Sequence, residues 1–279
     1  PGVYATKRFA EEVRISIRGS GLERSFHQKG LTGHQDGVPF GSADGAGDFQ
    51  EVDTLALQRI EIYKGGNAMQ FGSTTLGGSI NMISKTGHSS PGHQVRFETG
   101  SDDTFRGNYQ IGKVFDSGSD LFVSLTGTTS DGFREHSDQK NIKFNTNVGL
   151  RLSDQIETRF YFSANHIKLE LPDSLTQNQV FTNPEAARNI AISDDQQRNI
   201  NSYRLSNRTT IDLGEGHKMD VGAFIFYKDL FHPILSVVGV IDQESVNYGL
   251  YTQNSGSYAL GDYLNRYQVG ITTHFGDIN

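Results

Sequence analysis

Ile142-Lys143-Phe144-Asn145-Thr146-Asn147-Val148-Gly149-Leu150-Arg151-Leu152 alternates with period two. Ile142, Phe144, Thr146, Val148, Leu150 and Leu152 share one face, and Lys143, Asn145, Asn147, Gly149 and Arg151 share the other. Successive side chains of an extended strand point to opposite faces, so this stretch reads as a strand with a different solvent on each side. Neighbouring segments repeat the pattern. Ile156, Phe160, Phe162 and Ala164 oppose Glu157, Arg159, Tyr161 and Ser163; Tyr203, Leu205, Thr209, Ile211 and Leu213 oppose Arg204, Ser206, Arg208, Thr210 and Asp212.

Extended along the chain, the pattern predicts nine strands near residues 93–100, 105–115, 120–130, 140–152, 155–168, 200–213, 217–230, 247–259 and 263–275. Most reach the ~9 to 11 residues with which a tilted strand crosses a bilayer. After the brief first connector at Ser101–Thr104, short turns at Asp116–Ser119, Ser153-Asp154, Gly214–Gly216 and Gly261-Asp262 alternate with long connectors at Arg134–Gln139, Leu169–Asn199 and Phe231–Val246. That parity is expected of a transmembrane barrel with short periplasmic turns and long external loops. A soluble sandwich or solenoid also alternates, but it would leave the Arg, Lys and Asn face as bare solvent surface.

Composition agrees. With 35% hydrophobic residues and 32 Gly, the chain is too apolar for disorder and too Gly-rich for a helical bundle. The absence of Cys removes disulfides, thiolate metal sites and cysteine nucleophiles. A net charge of -7 with scattered Lys and Arg offers no basic face, so nucleic acid is not an expected partner. The longest apolar run, Leu235–Ile241, is far short of the ~18 residues of a spanning helix.

Up to about Gly87 the pattern differs: Gly-dense sequence with short β-like pieces at Val13–Arg18, Gly33–Val38, Arg59–Lys64 and Ser79–Ser84, and short helices expected at Asp53–Leu57 and Gly66–Phe71. Residues 1–87 are therefore read as a small α+β domain and residues 88–279 as barrel strands.

The run Ile15-Ser16-Ile17-Arg18-Gly19, then Gln35-Asp36-Gly37-Val38-Pro39, then Ile60-Glu61-Ile62-Tyr63-Lys64-Gly65-Gly66-Asn67-Ala68, then Phe71-Gly72 and Leu76-Gly77-Gly78-Ser79-Ile80-Asn81 resembles the plug signature of TonB-dependent outer-membrane receptors. The resemblance implies a mainly β fold in which the C-terminal part of a plug precedes the first nine or so antiparallel strands of a 22-stranded barrel whose lumen the plug fills. It also implies that the chain is a fragment, lacking the start of the plug with its TonB-contacting box and about a dozen later strands. Pro1-Gly2-Val3-Tyr4 has no signal-peptide features, consistent with a removed signal or a start inside a longer protein. Arg18, Gly19, Asp36, Gly37, Glu61, Lys64, Gly65, Gly77, Gly78 and Asn81 would hold the plug in the barrel. Glu61 is the expected counter-charge of Arg18 and Lys64, and Gly77-Gly78 the expected point of close backbone approach or positive φ.

The implied function is capture of a scarce extracellular nutrient, such as a ferric siderophore or chelate, and its import across the outer membrane of a Gram-negative bacterium. The expected partners are the TonB energy-transducing complex, the small ligand and outer-membrane lipid. Alternatives are a passive porin or adhesin barrel, and a receptor for a cofactor such as a quinone. Leu171-Pro172-Asp173-Ser174-Leu175-Thr176 with Asn183-Pro184-Glu185-Ala186-Ala187 is similar to a loop of ferric-citrate-type and quinone-type receptors.

No catalytic set is found: there is no dinucleotide or P-loop motif and no H-E-x-x-H. No cofactor or metal site is expected either. Asp44-Gly45-Ala46-Gly47-Asp48 misses calcium-loop spacing and reads as a plain Gly-rich loop, and His27 with His34 as two loop residues. By resemblance, ligand contacts fall on the loops Leu22–Lys29, Phe40–Gln50 and Gln70–Leu76, at Arg24, His27, Gln28 and Gln70, with Ser73 and Thr74 as further choices; the bland reading is that these are solvated loop residues. Where the ferric-citrate receptor has Arg before its aromatic-Gly pair, this chain has Gln70, and the middle loop adds Asp44 and Asp48. Fewer cations and more acids weaken the attraction for a multiply anionic complex, so a less anionic chelate or cofactor is expected.

Overall fold

The computed structural model describes residues 2–9, 11–21, 30–45, 47–72, 75–234 and 239–279. Their strands form a two-stranded hairpin, a four-stranded mixed sheet and a nine-stranded antiparallel sheet. The hairpin pairs β1 (Val3–Phe9) with β2 (Glu12–Ile17). In the mixed sheet β3 (Leu31–Gln35) lies between β4 (Val38–Phe40) and a parallel β6 (Gly78–Ser84), and β6 also pairs antiparallel with β5 (Leu57–Tyr63). Ile17, Leu31, Leu57, Ile80 and Met82 form the core of this N-terminal unit, with Val3, Ile15, Phe40, Phe49 and Val52 packed against it.

The single strand expected over Gly33–Val38 is two strands. Asp36 and Gly37 both have positive φ, 55° and 82°, the requirement of a two-residue type I′ turn, so the chain reverses after Gln35. The two expected helices are 3-10 turns at Thr54–Ala56 and Gly65–Phe71, the first capped by Asp53, which accepts from the Leu55 amide at 3.0 Å. Gly77 and Gly78 allow close approach: a Cβ would lie 2.7 Å from the Ile17 carbonyl oxygen at the first and 2.4 Å from that of Tyr63 at the second.

The large sheet is a meander of β7 (Gly92–Thr99), β8 (Phe105–Val114), β9 (Asp120–Ser130), β10 (Gln139–Arg151), β11 (Ile156–Glu170), β12 (Gln197–Gly214), β13 (His217–Ile234), β14 (Gly239–Leu260) and β15 (Tyr263–Ile278), each antiparallel to the next. All nine predicted strands are present. The expected long connector Phe231–Val246 is mostly strand, since β13 and β14 stay paired up to Ile234 opposite Gly239. The connector between β11 and β12 carries two short helices, α1 (Gln177–Thr182) and α2 (Asn189–Ser193). No described helix is long and apolar enough to cross a membrane.

The burial of this sheet is the reverse of a soluble one. Phe97, Tyr109, Leu125, Ile142, Phe160, Leu205, Ile225, Leu250 and Ile271 are exposed, while Asn108, Ser124, Asn141, Lys143, Asn147, Asn165, Ser202, Ser206 and Asn247 are buried. Scattered apolar exposure is ordinary in soluble proteins, but an entire apolar face opposite a buried polar one is the signature of a wall whose outer solvent is lipid. Phe160→Arg in the full-length protein is expected to cost ~2–4 kcal/mol near the bilayer midplane. The urea midpoint for folding into lipid vesicles reads this directly, and an unchanged midpoint would take Phe160 off the lipid face.

Candidate functional site

The buried polar face of the wall receives the N-terminal unit, and the contacts fall into three tiers. At the short-turn end, Asp120 on β9 accepts two hydrogen bonds from Arg159 on β11, at 2.6 and 3.0 Å, and a third from the Gly87 amide at 2.7 Å. Arg159 stands directly opposite Arg208 of β12. Like charges so placed repel, and each is offset by its own acid, Arg208 by Asp220 at 2.8 Å.

The middle tier joins wall side chains to backbone carbonyls of the N-terminal unit. Arg204 donates to the carbonyls of Val38 and Pro39 at 3.2 and 2.9 Å, Arg208 to that of Asp36 at 3.3 Å, and Asn147 to that of Lys85 at 2.7 Å. Glu11 pairs with both Arg106 and Lys143. Behind the Asp36-Gly37 turn, the Asp36 carboxylate accepts from the Ser84 amide and hydroxyl at 2.9 and 2.6 Å, and the Asn81 side chain accepts from the Gly37 amide at 3.0 Å. Burial pushes the Asp36 carboxyl up, and these bonds and the two arginines only partly oppose it.

His34 is buried beside the Phe71 ring, 4.7 Å between centroids, with Nδ1 3.3 Å from the Ser79 hydroxyl. Burial, then Arg204 and His274, push its imidazole down to about 3, so it is neutral. Because an unfolded His gains its proton near pH 6.5 and the folded one does not, this stability is complete above that value and is lost as pH falls toward 3. Between pH 8 and 5 the loss is about 2 kcal/mol. Asp36, raised, contributes in the opposite direction, so His34→Asn isolates the histidine: unfolding of the variant should be flatter with pH over this interval. Equal slopes would refute a neutral buried His34.

The third tier lies toward the long connectors. Asp48 is bridged by Lys228 at 3.0 Å and by Arg198, and Lys228 also holds Glu51 at 2.7 Å. Burial pushes Asp48 up, but Lys228 and Arg198 together outweigh it and hold the carboxyl well below the usual range. Above this cluster is a cavity of about 330 Å³ between the loop 40–48 and β12–β14. Its lining includes Phe40 and Phe226, Gln243 and Ser245, and four acids, Glu12, Asp44, Asp48 and Glu51, against two cations, Arg198 and Lys228. The Ala43 amide donates to the Asn247 side chain at 2.9 Å and fixes the loop to the wall.

Of the sequence-predicted ligand residues, Arg24, His27, Gln28, Ser73 and Thr74 lie outside the described residues. Gln70 is exposed, with Nε2 donating to the Asn67 carbonyl at 2.8 Å. It lines a different cavity, of about 570 Å³, with Tyr251, Gln253 and Gln268. Asp44 and Asp48 do meet in the upper cavity, whereas its wall residues Arg198, Lys228, Gln243 and Ser245 were not singled out in the sequence, although all four sit on the lumen-facing parity of their strands. One pairing is corrected. Glu61 is held by Arg59 at 2.8 Å, the Tyr63 hydroxyl at 2.8 Å and Asn81 at 3.3 Å, because Arg59 lies two residues back on the same strand face. Arg18 instead sits against Gly65, with Nη1 3.4 Å from where a Cβ would be.

A lipid-facing β-wall whose polar lumen side is occupied by a small hydrogen-bonded N-terminal unit defines a plugged outer-membrane barrel fold. Residues 1–79 match the family model described as TonB-dependent Receptor Plug Domain. Residues 1–79 thus resemble the plug domain of TonB-dependent receptors. Over its whole length it superposes on the ferric citrate transporter FecA in its unliganded form, with a TM-score of 0.77, 14% identity and 45% of that chain covered. The siderophore receptor PiuA of Acinetobacter baumannii superposes with a TM-score of 0.70 and 14% identity over 99% of this chain and 41% of its own. In sequence, the vitamin B12 transporter BtuB of Vibrio vulnificus is 29% identical over 120 residues, 41% of this chain and 20% of the relative. The ferrichrome outer membrane transporter/phage receptor of Escherichia coli K12 is 30% identical over 76 residues, 27% of this chain and 10% of the relative. The chain thus spans about a fifth or less of the curated relatives it matches, and these relatives are transporters and receptors, not enzymes.

Proposed function

We propose that this chain supplies the plug, residues 1–87, and the first wall strands, residues 88–279, of a TonB-dependent transporter in the outer membrane of a Gram-negative bacterium, and that the complete protein imports a scarce nutrient. The observation that carries this reading is the plug's attachment. It is held to the wall by hydrogen bonds and ion pairs, with plug carbonyls accepting from Arg204, Arg208 and Asn147. Such contacts exchange for water at low cost, unlike an apolar interface, so a pull transmitted through TonB can displace the plug. A passive porin has no use for it. In a planar bilayer the full-length protein is expected to be closed, and a constitutively open pore would refute the transport reading.

The ligand enters from the long-connector side and meets first the cavity above Asp48, with the plug loop that carries Arg24, His27 and Gln28, and then, on its way through, the separate cavity that Gln70 lines. Four acids against two cations favour a neutral or weakly charged cargo over a multiply anionic one. A neutral hydroxamate-type ferric chelate, a corrinoid such as the relatives' vitamin B12, or a quinone-class cofactor fits that balance; ferric citrate does not. Equilibrium binding to the full-length receptor should rank a neutral ferric hydroxamate or cyanocobalamin at least tenfold above ferric citrate, a difference of about 1.4 kcal/mol. Ferric citrate binding tightest would overturn the charge argument. Changing Arg24 and Gln70 together to Ala should weaken the preferred ligand by more than twofold, and a smaller change would remove the plug loops from the site.

A further inference from the structure

We propose that His136, Glu170 and Asp195 form a binding site for a divalent transition cation of the zinc class, which clips together the two long connectors on either side of β10 and β11. Among the described residues this is the group in which a histidine and two carboxylates converge, their ligand atoms all within 4.8 Å of one another. The arrangement of the imidazole points to a metal. His136 Nε2 lies 2.9 Å from the Gln196 carbonyl oxygen, an acceptor, so Nε2 carries the proton. In the neutral ring Nδ1 is then an acceptor, and Glu170 Oε2, a second acceptor, lies 3.5 Å from it. Something positive belongs between them.

A proton on Nδ1 would be one solution, but a charge-assisted N–H···O bond contracts to ~2.7–2.9 Å. Two donors each ~2.0–2.1 Å from a tetrahedral ion lie ~3.4 Å apart, which matches the observed separation. A histidine that ligates through one nitrogen and donates from the other to a backbone carbonyl is the usual outer-shell arrangement of zinc sites. Asp195 is oriented in the same way, its Oδ2 accepting from Gln197 Nε2 at 2.8 Å. The supporting backbone is tied: the Glu170 amide donates to the Asp138 carbonyl and the Leu171 amide to that of Gln196, both at 2.9 Å. The nearby Arg134 does not compete for the carboxylates, because its guanidinium is spent on the carbonyls of Pro172, Asp173 and Ala186. Glu170 and Asp195 reach solvent, so water completes a one-nitrogen, two-carboxylate set. An imidazole donor selects zinc-class ions over calcium or magnesium.

The site is independent of the transported cargo. The test uses tag-free full-length receptor in detergent, stripped with a chelator and without nutrient, titrated with Zn2+ alone by calorimetry and by competition with a chromophoric chelator. Expected are one saturable Zn2+ site, at least tenfold weaker in His136→Gln and weakened in Glu170→Gln, and slower hydrogen exchange over 171–196 in the wild type when Zn2+ is added but not when Mg2+ is. Retention of the folded barrel's heat-dependent gel mobility qualifies each variant, and Glu170→Gln serves if His136→Gln does not fold. Equal Zn2+ affinity in wild type and variants, absence of saturable binding, or Ca2+ binding as tightly as Zn2+ would overturn the proposal and leave a protonated His136 paired with Glu170.

Discussion

Arg159→Ala in the full-length receptor is expected to cost ~3–5 kcal/mol, the range for leaving a buried carboxylate without its cation. Asp120 is 1% exposed, and the substitution leaves it only the Gly87 amide and the half-exposed His88, 3.7 Å away, of the partners it now has. On alternation alone, truncating Arg159 looks cheaper than placing Arg at Phe160, since a lumen-facing cation can be solvated. The structure reverses that order because the acid it serves is on the wall itself and buried. Gly149 gives an independent check. A Cβ there would lie 2.2 Å from Arg159 Nη2 and 2.4 Å from Asp120 Oδ1, so Gly149→Ala must force the same pair apart and should destabilise in the same assay. Arg159→Met combined with Asp120→Asn should recover much of the loss, because no charge is then stranded. If Arg159→Ala shifts the urea midpoint no more than an exposed Arg→Ala such as Arg151→Ala, the pair is not what holds this end of the wall.

The wall was legible because its signal is local. Period-two alternation fixes which face each residue takes, and Ile142 to Leu152 could be assigned residue by residue. What misled was sequence that breaks the alternation without breaking the strand. The stretch Phe231–Val246 contains Pro233 and a mostly apolar run without alternation, and it reads as a loop; yet Pro233 sits in register opposite Val240 and β13 continues through it. Asp36-Gly37 carries a hairpin signal that was absorbed into one strand because the flanking pieces are so short. The pairing of charges was not legible. Lys228 and Asp48 are 180 residues apart, and parity can say that Lys228 faces the lumen but not which plug acid meets it. The same holds for His136 in the β9–β10 connector, Glu170 at the end of β11 and Asp195 at the end of the β11–β12 connector, which have no motif spacing to betray them.

Lys228→Met is expected to weaken docking of the plug segment 40–51 by ~3–5 kcal/mol. Lys228 bridges two plug acids, and they do not lose equally. Asp48 keeps Arg198, whereas among the described residues Lys228 is the cation at ion-pair distance from Glu51, whose side chain is only 3% exposed. The cost is therefore that of stranding Glu51, and it should be removable: Glu51→Gln with Lys228→Met leaves two neutral groups of similar volume and should regain most of the loss. Hydrogen exchange over residues 40–51 in the full-length receptor reads docking without requiring the barrel to unfold. Exchange should be fast in Lys228→Met, near wild type in the double variant, and intermediate in Glu51→Gln, where Lys228 still holds Asp48. The same variants separate docking from cargo choice. Lys228→Met makes the cavity more acidic and the double variant restores its net charge, so binding of an anionic chelate should fall in the first and return in the second. Equal exchange in the single and double variants would mean that Lys228 secures the plug through its packed aliphatic stem and not through its charge.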